Sequence, residues 1–337
     1  MRRFAAFCAF CICASCTGTA SAAATSPNAA VAAAEQQFAR ELSQKHGLDQ
    51  AAILAVLAKA RYQQSVIDTM SHPAEAKPWK EYRPIFVSER RTEDGAAFYR
   101  EHATLLRKVE ADTGVPAELI VTIIGVETNY GRNAGRYRVI DALATLAFYY
   151  PPRQDFFRAE LAQLFLLRGP SFPYAPEDLM GSYAGAMGWG QFMPSSIAQF
   201  ARDGDGDGRI DLWNSLPDIF ASVANYFVAH GWQRGGPVAL QATVAANARK
   251  IEPAGLTPVY PLQQLADWGY TIDAKSASPL DPMTPATLIE LEGPNGPEIW
   301  ITFENFYAIS RYNRSPLYSL AVLQLSQAIA AEVASTP

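Results

Sequence analysis

The chain has 337 residues, 49% of them hydrophobic and 18% charged, and 33 acidic against 28 basic side chains leave a formal net charge of −5. So acidic a chain has little attraction for a polyanion, which argues against nucleic acid as its partner. Its length exceeds one ordinary domain, and the apolar share supplies a main core with material left for a smaller satellite.

Residues 1–24 have the layout of a secretory signal peptide: Arg2 and Arg3 precede an apolar run from Phe4 to Cys16, and Ala20-Ser21-Ala22 offers a small-residue cleavage site. Its removal takes away two positive charges and moves the formal net charge from −5 to −7. Cys8, Cys11, Cys13 and Cys16 all lie inside this segment, so the exported chain has no cysteine and must hold itself by core burial. No later stretch reaches the roughly 18 uncharged apolar residues of a membrane span. The reading is an exported, periplasmic, soluble chain acting as a monomer. Acylation at Cys16, which would make it an outer-membrane lipoprotein, is the alternative, and Cys13 stands where such signals usually carry a Leu-like residue.

From Glu35 to Met70 the pattern is helical, with Phe38 and Leu42 four apart, His46-Gly47 ending one run, and Ile53, Leu54 and Leu57 starting the next face. Pro73, Pro78 and Pro84 are expected to break any helix between Ser71 and Arg91, and Asp94 to cap a helix through Val109 that ends at Thr113-Gly114. Pro116 starts the next helix, and Asp141–Tyr150 and Asp155–Leu167 follow on either side of Pro151-Pro152. Residues 25–115 are thus an N-terminal helical region and 116–240 a helical core. Over 241–304 helical periodicity fades, and Thr287–Glu292 faces Glu298–Phe303 across Gly293–Pro297, a β-hairpin signal in a small β-containing domain. From Phe306 to Val333 the chain returns to helix, so that 305–337 rejoins the core. The fold class is mainly α with a small β part.

Glu127 leaves an apolar helix for a polar exit, Thr128-Asn129-Tyr130-Gly131, and shares its helix face with Ile123 and Ile124. A carboxyl held against such side chains loses hydration and gains proton affinity, as a general acid at neutral pH requires. The alternative is a glutamate at the exposed end of a buried helix. Between Gly181 and Pro194, glycines recur at 181, 185, 188 and 190 among Met187, Trp189, Phe192 and Met193. Glycine admits a ligand close to the backbone and aromatic faces suit sugar rings, with Gln191 as a buried hydrogen-bonding group; simple packing of a tight loop is the competing reading.

Asp203, Asp205 and Asp207 stand at positions 1, 3 and 5 of an EF-hand-like loop over 203–218, with Gly208 at position 6 and the Arg209 carbonyl at position 7. Asn214 replaces the usual glutamate at position 12, and Asp218, four residues on, can close the shell of a longer loop. Ser215 to Asp218 also reads as a helix-capping box. The implied Ca2+ is structural, since oxygen donors around a hard cation do not suggest an activated water. No organic cofactor is implied. His46, His72, His102 and His230 are scattered without metal-ligand spacing, and Gly-x-Ser-x-Gly, P-loop and dinucleotide fingerprints are absent.

Five ordered stretches, Gly125–Gly131, Ser182–Ser195, the acidic loop from Asp203, Ala224–Tyr226 and Asn305–Asn313, together resemble the lytic murein transglycosylase B family, over roughly Tyr82 to Leu325. The resemblance implies a goose-type lysozyme-like core, a calcium loop and cleavage of peptidoglycan glycan strands to 1,6-anhydromuramic ends. It implies Glu127 as the one catalytic residue, acid and then base. It implies Ser182 and Gln191 as hydrogen-bonding partners of the saccharide, and Tyr82, Tyr226, Tyr312, Asn313 and Tyr318 as residues that line or brace the groove. Asn129-Tyr130 departs from the Arg-Trp of some relatives. The rival readings are a hydrolytic muramidase with Asp141 or Asp178 as second carboxylate, and a silent murein-binding scaffold. The partners implied are glycan strands and cell-wall synthesis or division proteins; a membrane enters only through Cys16.

Overall fold

The computed structural model describes residues 27–71, 77–251, 255–272 and 279–335; the signal-peptide stretch with Cys16, and His72, lie outside them. A long helix and two short ones come first, α1 (Pro27–His46), α2 (Gln50–Leu57) and α3 (Gln64–Ser71), followed by α4 (Trp79–Phe86), α5 (Glu89–Thr113) and α6 (Ala117–Thr128). Then come β1 (Tyr137–Arg138), α7 (Val139–Tyr149), a 3-10 turn at Pro151–Arg153, α8 (Gln154–Leu166), β2 (Met180–Gly181), α9 (Pro194–Phe200) and α10 (Leu216–Ala229). The last third holds β3 (Ala239–Val244), β4 (Tyr260–Pro261), α11 (Leu262–Asp267), β5 (Tyr270–Ile272), β6 (Pro285–Gly293), β7 (Gly296–Thr302), α12 (Glu304–Tyr312) and α13 (Pro316–Ser335).

Every residue of α6 from Leu119 to Gly125 is buried, so this helix must be surrounded rather than laid on a surface. α5, α10 and α13 pack around it, and Leu106, Phe220, Phe227, Ile309, Val322 and Ile329 share one buried cluster with Ile120, Ile123 and Ile124. By length and composition α13 could cross a membrane. Here Tyr318 to Leu323, Leu325 and Ile329 are buried inside the helical core, which accounts for its apolarity. A second cluster unites α1, α2, α7, α8 and the loop residues Met187 and Phe192.

The sheet has the antiparallel order β4-β6-β7-β3-β5 and joins the helices through Trp79, Phe306 and Leu320, which pack on Ile289 and Leu291. The expected hairpin is present, in the register Thr287↔Thr302 to Gly293↔Gly296, so the turn is the two residues Pro294 and Asn295 rather than the whole of 293–297.

Three local expectations are corrected. Ser88, not Asp94, caps α5: its hydroxyl accepts the Arg91 N–H, and Asp94 lies one turn inside the helix, 4.0 Å from Arg90. Pro84 does not prevent a helix between 71 and 91; it sits inside α4, forgoing one backbone bond while the helix closes a turn later with Val87 N–H on the Arg83 carbonyl. The terminal helix is two helices, α12 and α13, separated at Asn313, whose extended backbone (φ −145, ψ 124) ends α12.

Truncating a wholly buried α6 residue removes transfer energy and leaves a cavity. Ile124→Ala is expected to lower stability by about 3 kcal/mol in urea titration, and a loss under about 1 kcal/mol would show a core able to collapse there.

Candidate active site

α6 ends in an unusual backbone run. Asn129 (φ 50), Tyr130 (φ 59) and Gly131 (φ 78) are all left-handed, and the helix is closed by Asn129 N–H on Gly125 O and Tyr130 N–H on Ile124 O. Among the described residues only one other non-glycine has positive φ, Gln191 (φ 50), on the loop that packs against this run. Strain of this kind costs on the order of 1 kcal/mol per residue and persists where surrounding contacts over-determine it. Four contacts do so here. Thr128 Oγ1 accepts the Gly131 N–H and lies 3.0 Å from the Trp189 carbonyl. Any side chain at Gly131 would put its Cβ 2.1 Å from the Trp189 ring. Tyr130 stacks on Phe98 at 4.8 Å.

Glu127 is thereby held at the helix end, partly exposed, with Oε1 accepting a 2.6 Å hydrogen bond from the Tyr318 hydroxyl. Burial pushes its carboxyl from the ordinary 4.5 up to about 7, against the lowering effect of the Tyr318 hydrogen bond. Burial raises the hydroxyls of Tyr82, Tyr312 and Tyr318 as well, and the Glu127 charge acts on all three. Glu127 is therefore lodged among tyrosines from α4, α12 and α13. Ile123 and Ile124 face the core behind it.

The glycine-aromatic loop is built largely from its own hydrogen bonds. Ser182 Oγ accepts the N–H groups of Ala184 and Ala186, and Met187 bridges to both Gly181 and Phe192. Gln191 Nε2 donates to Gly188 O and across to Ala134 O at 3.2 Å, stapling the loop to the segment after Glu127. The Tyr312 hydroxyl donates to Gly190 O at 2.6 Å, so one tyrosine near Glu127 also fixes the loop. Tyr226 lies behind it, ring centroids 4.7 Å apart, its hydroxyl donating to Arg311 O; this is bracing. Asn313 is exposed and its Oδ1 accepts the Ser315 N–H, with no contact to Glu127 among the described hydrogen bonds. Thr128 has no role in the sequence reading, although it lies three residues from both Gly125 and Gly131; Trp189, an aromatic face there, packs against Gly131.

Neither rival second carboxylate fits. Asp141 is buried, paired with Arg138 at 2.6 Å, and accepts the Arg61 N–H. Asp178 is exposed on the segment before β2. Burial and Tyr318 are the influences resolved on Glu127, with no other carboxylate among them.

In the acidic loop, carboxylate oxygens of Asp203, Asp205 and Asp218 come within 4.8 Å of one another. Asp218 is buried and accepts N–H groups from Gly204 and Asp211, so its second role as the N3 residue of the Ser215 cap leaves the carboxylate facing the loop. Asp207 is outside that trio, its Oδ1 accepting the Arg209 N–H, yet it lines the same concavity with Arg209. Asn214 turns its amide to Asp211. Converging carboxylates that no Lys or Arg among the described residues neutralises are a donor set suited to a hard divalent cation.

A family model described as a transglycosylase SLT domain matches residues 30–327. Membrane-bound lytic murein transglycosylase B of Escherichia coli K12 is 41% identical over 317 residues, 91% of this chain and 84% of that protein. The structure of the Escherichia coli lytic transglycosylase Slt35 in complex with calcium is similar at TM-score 0.78 and 40% identity, covering 89% of this chain and 93% of that one. SltB3 from Pseudomonas aeruginosa in complex with NAG-anhNAM-pentapeptide is similar at TM-score 0.75 and 30% identity, over 89% and 80% of the two chains.

A carboxyl at about 7 in the folded state and 4.5 when unfolded favours folding below pH 4.5 and loses that advantage as pH rises through 7. Glu127→Gln is therefore expected to be more stable than the native chain at pH 8, by up to about 3 kcal/mol, and no more stable at pH 4. Thermal melts at the two pH values check this; a gap independent of pH would contradict the burial. For the acidic loop, millimolar calcium is expected to raise Tm by several degrees, and Asp203→Ala with Asp207→Ala to abolish the rise. No response to calcium or chelator would dismiss the metal.

Proposed function

The chain belongs to the SLT transglycosylase family, and from that premise we propose that Glu127 alone carries the chemistry, as acid and then as base. The activity is that of a peptidoglycan lytic transglycosylase, which cleaves the β-1,4 bond between N-acetylmuramic acid and N-acetylglucosamine without water and leaves a 1,6-anhydro end. Glu127, protonated, gives its proton to the glycosidic oxygen as the C1–O bond breaks. The resulting carboxylate takes the proton of the muramic acid 6-hydroxyl while that oxygen bonds C1, so the acid is regenerated and no water enters.

The observation that carries this reading is a single carboxyl raised to about 7 by burial and held by Tyr318, with no second carboxylate acting on it. At that value roughly half the molecules hold the proton near neutrality, and the conjugate base is still strong enough to take one back. A water-attacking glycosidase needs a second carboxylate as base or nucleophile. An internal hydroxyl at high effective concentration does not. Tyr318, by binding Oε1, leaves the other oxygen to face the glycosidic bond. Gln191 and Ser182 would position the saccharide, Tyr82 and Tyr312 would keep water from the carboxyl, and Tyr226 would brace Tyr312.

Asp203, Asp205 and Asp218, with Asp207 and the Arg209 carbonyl, would hold Ca2+. The ion would neutralise their mutual repulsion and stiffen the loop between α9 and α10, with no part in bond cleavage. The crystallised relative with calcium supports this, and the relative bound to NAG-anhNAM-pentapeptide supports a peptide-bearing glycan as substrate. Export to the periplasm follows from the substrate and the residues 1–24 pattern; acylation at Cys16 would tether the chain, as the membrane-bound relative is named.

Mass spectrometry of murein digests tests the mechanism. Products one water lighter than hydrolysed muropeptides are expected, and Glu127→Gln is expected to cost about 10³-fold in turnover. Reducing muramic ends alone, or full activity in that variant, would overturn it.

A further inference from the structure

The four aromatic side chains that are exposed among the described residues, Tyr62, Tyr149, Phe156 and Tyr183, all lie on the lobe built by α3, α7, α8 and the Ser182 loop. Single exposed hydrophobics are ordinary on any protein surface, but this segregation to one lobe is not. Tyr62 and Tyr149 are 47% and 39% exposed, and their rings touch at 4.7 Å and 54°. The Tyr62 hydroxyl donates to Gln64 Oε1 at 2.6 Å, which holds the ring in place while its face stays open.

The segment carrying Tyr62 is fastened along α7 one turn at a time. Arg138 donates to the Lys59 carbonyl, Arg61 N–H to Asp141, and Gln63 N–H to Thr145 Oγ1; Tyr149 is the next position on that face. At its other end α7 follows β1, whose Tyr137 pairs with Gly181, the residue before Ser182. The length of α7, about 15 Å, therefore separates the tyrosine pair from Gly181 at the start of the glycine-aromatic loop. Arg61 and Arg153 are exposed and make no ion pair among the described residues, while Glu35 acts on Tyr149 and Asp155 is exposed on the first turn of α8. Such a mixed patch suits a largely neutral ring system better than a polyanion or an anionic bilayer.

We propose that Tyr62 and Tyr149 form a distal glycan-stacking subsite, which takes pyranose rings of the same murein strand about one α7 length from the glycine-aromatic loop. The inference rests on the proposed function, since that reading makes the substrate a polymer long enough to reach both places. The flat apolar face of a sugar ring lies on the exposed tyrosine faces, and a strand held there presents its next bonds to Glu127 at raised local concentration. Short fragments reach only the catalytic end and gain nothing.

The test is Tyr62→Ala with Tyr149→Ala in the full chain, read in two ways. In a Glu127→Gln background, co-sedimentation with insoluble murein is expected to weaken about tenfold, while Tyr62→Phe with Tyr149→Phe, which keeps both faces, binds as the parent. With Glu127 intact, KM for polymeric murein rises by a similar factor, kcat and turnover of a murein tetrasaccharide are unchanged, and Tm is unaffected. Unaltered sedimentation, an equal loss in the phenylalanine variant, or an equal loss on the tetrasaccharide would overturn the subsite. Undiminished digestion by Glu127→Gln would instead overturn the catalytic reading, and the sedimentation arm still reads the tyrosines.

Discussion

The hydrogen bond from the Tyr318 hydroxyl to Glu127 Oε1, made at 2.6 Å where the carboxyl has lost most of its water, is the constraint on which the site depends. Burial favours the protonated form, whereas open solvent would leave the carboxyl near its ordinary 4.5. A single neutral donor offsets part of the burial and brings the group to about 7. Because that donor sits on α13 and the acid on α6, the packing of two apolar helices sets the acid's strength. The proton affinity of Glu127 is thus a consequence of core packing.

The same economy explains the strained backbone. The non-glycine residues with left-handed φ among those described, Asn129, Tyr130 and Gln191, lie on the two segments that meet beside Glu127. Contacts cross between the segments at Thr128 to Trp189, Gln191 to Ala134, and Gly131 against the Trp189 ring, while Tyr130 stacks on Phe98. Tyr312 extends the set by binding Gly190 O while its ring abuts Tyr226. Releasing either segment would release the other, so the loop and the helix end behave as one unit.

Much of this was legible in the residues. The apolar approach to Glu127, the glycine spacing, the acidic loop and the β-hairpin are local patterns, and local patterns survive folding when tertiary contacts agree with them. The apolar neighbours expected to desolvate Glu127 were Ile123 and Ile124, on its own helix. They are buried in the core, and the groups around the carboxyl are tyrosines up to 191 positions away in the chain. No periodicity reports such a contact; only the ordered resemblance to a family did. The cap of α5 at Ser88 rather than Asp94, and the helix that survives Pro84, were missed for another reason. Capping and proline signals weigh about 1 to 3 kcal/mol, small enough for the packing of a segment to offset; in α4 Trp79 is buried at the helix start.

Burial by itself does not separate a working carboxylate from a structural one; the hydrogen bonds do. Asp141 is satisfied on both oxygens by Arg138 and the Arg61 N–H. Glu160 binds the Ser195 N–H with one oxygen and the Ser195 hydroxyl with the other, and Asp218 spans the Gly204 and Asp211 N–H groups. Each of these carboxylates has both oxygens hydrogen-bonded, and each ties two chain segments together. Glu127 alone among the four has one oxygen engaged and the other without a donor among the described residues. That oxygen lies on a residue that is only partly buried, so a ligand can approach it. On the proposed function, Glu127 is thus the one of the four with an oxygen left for the substrate.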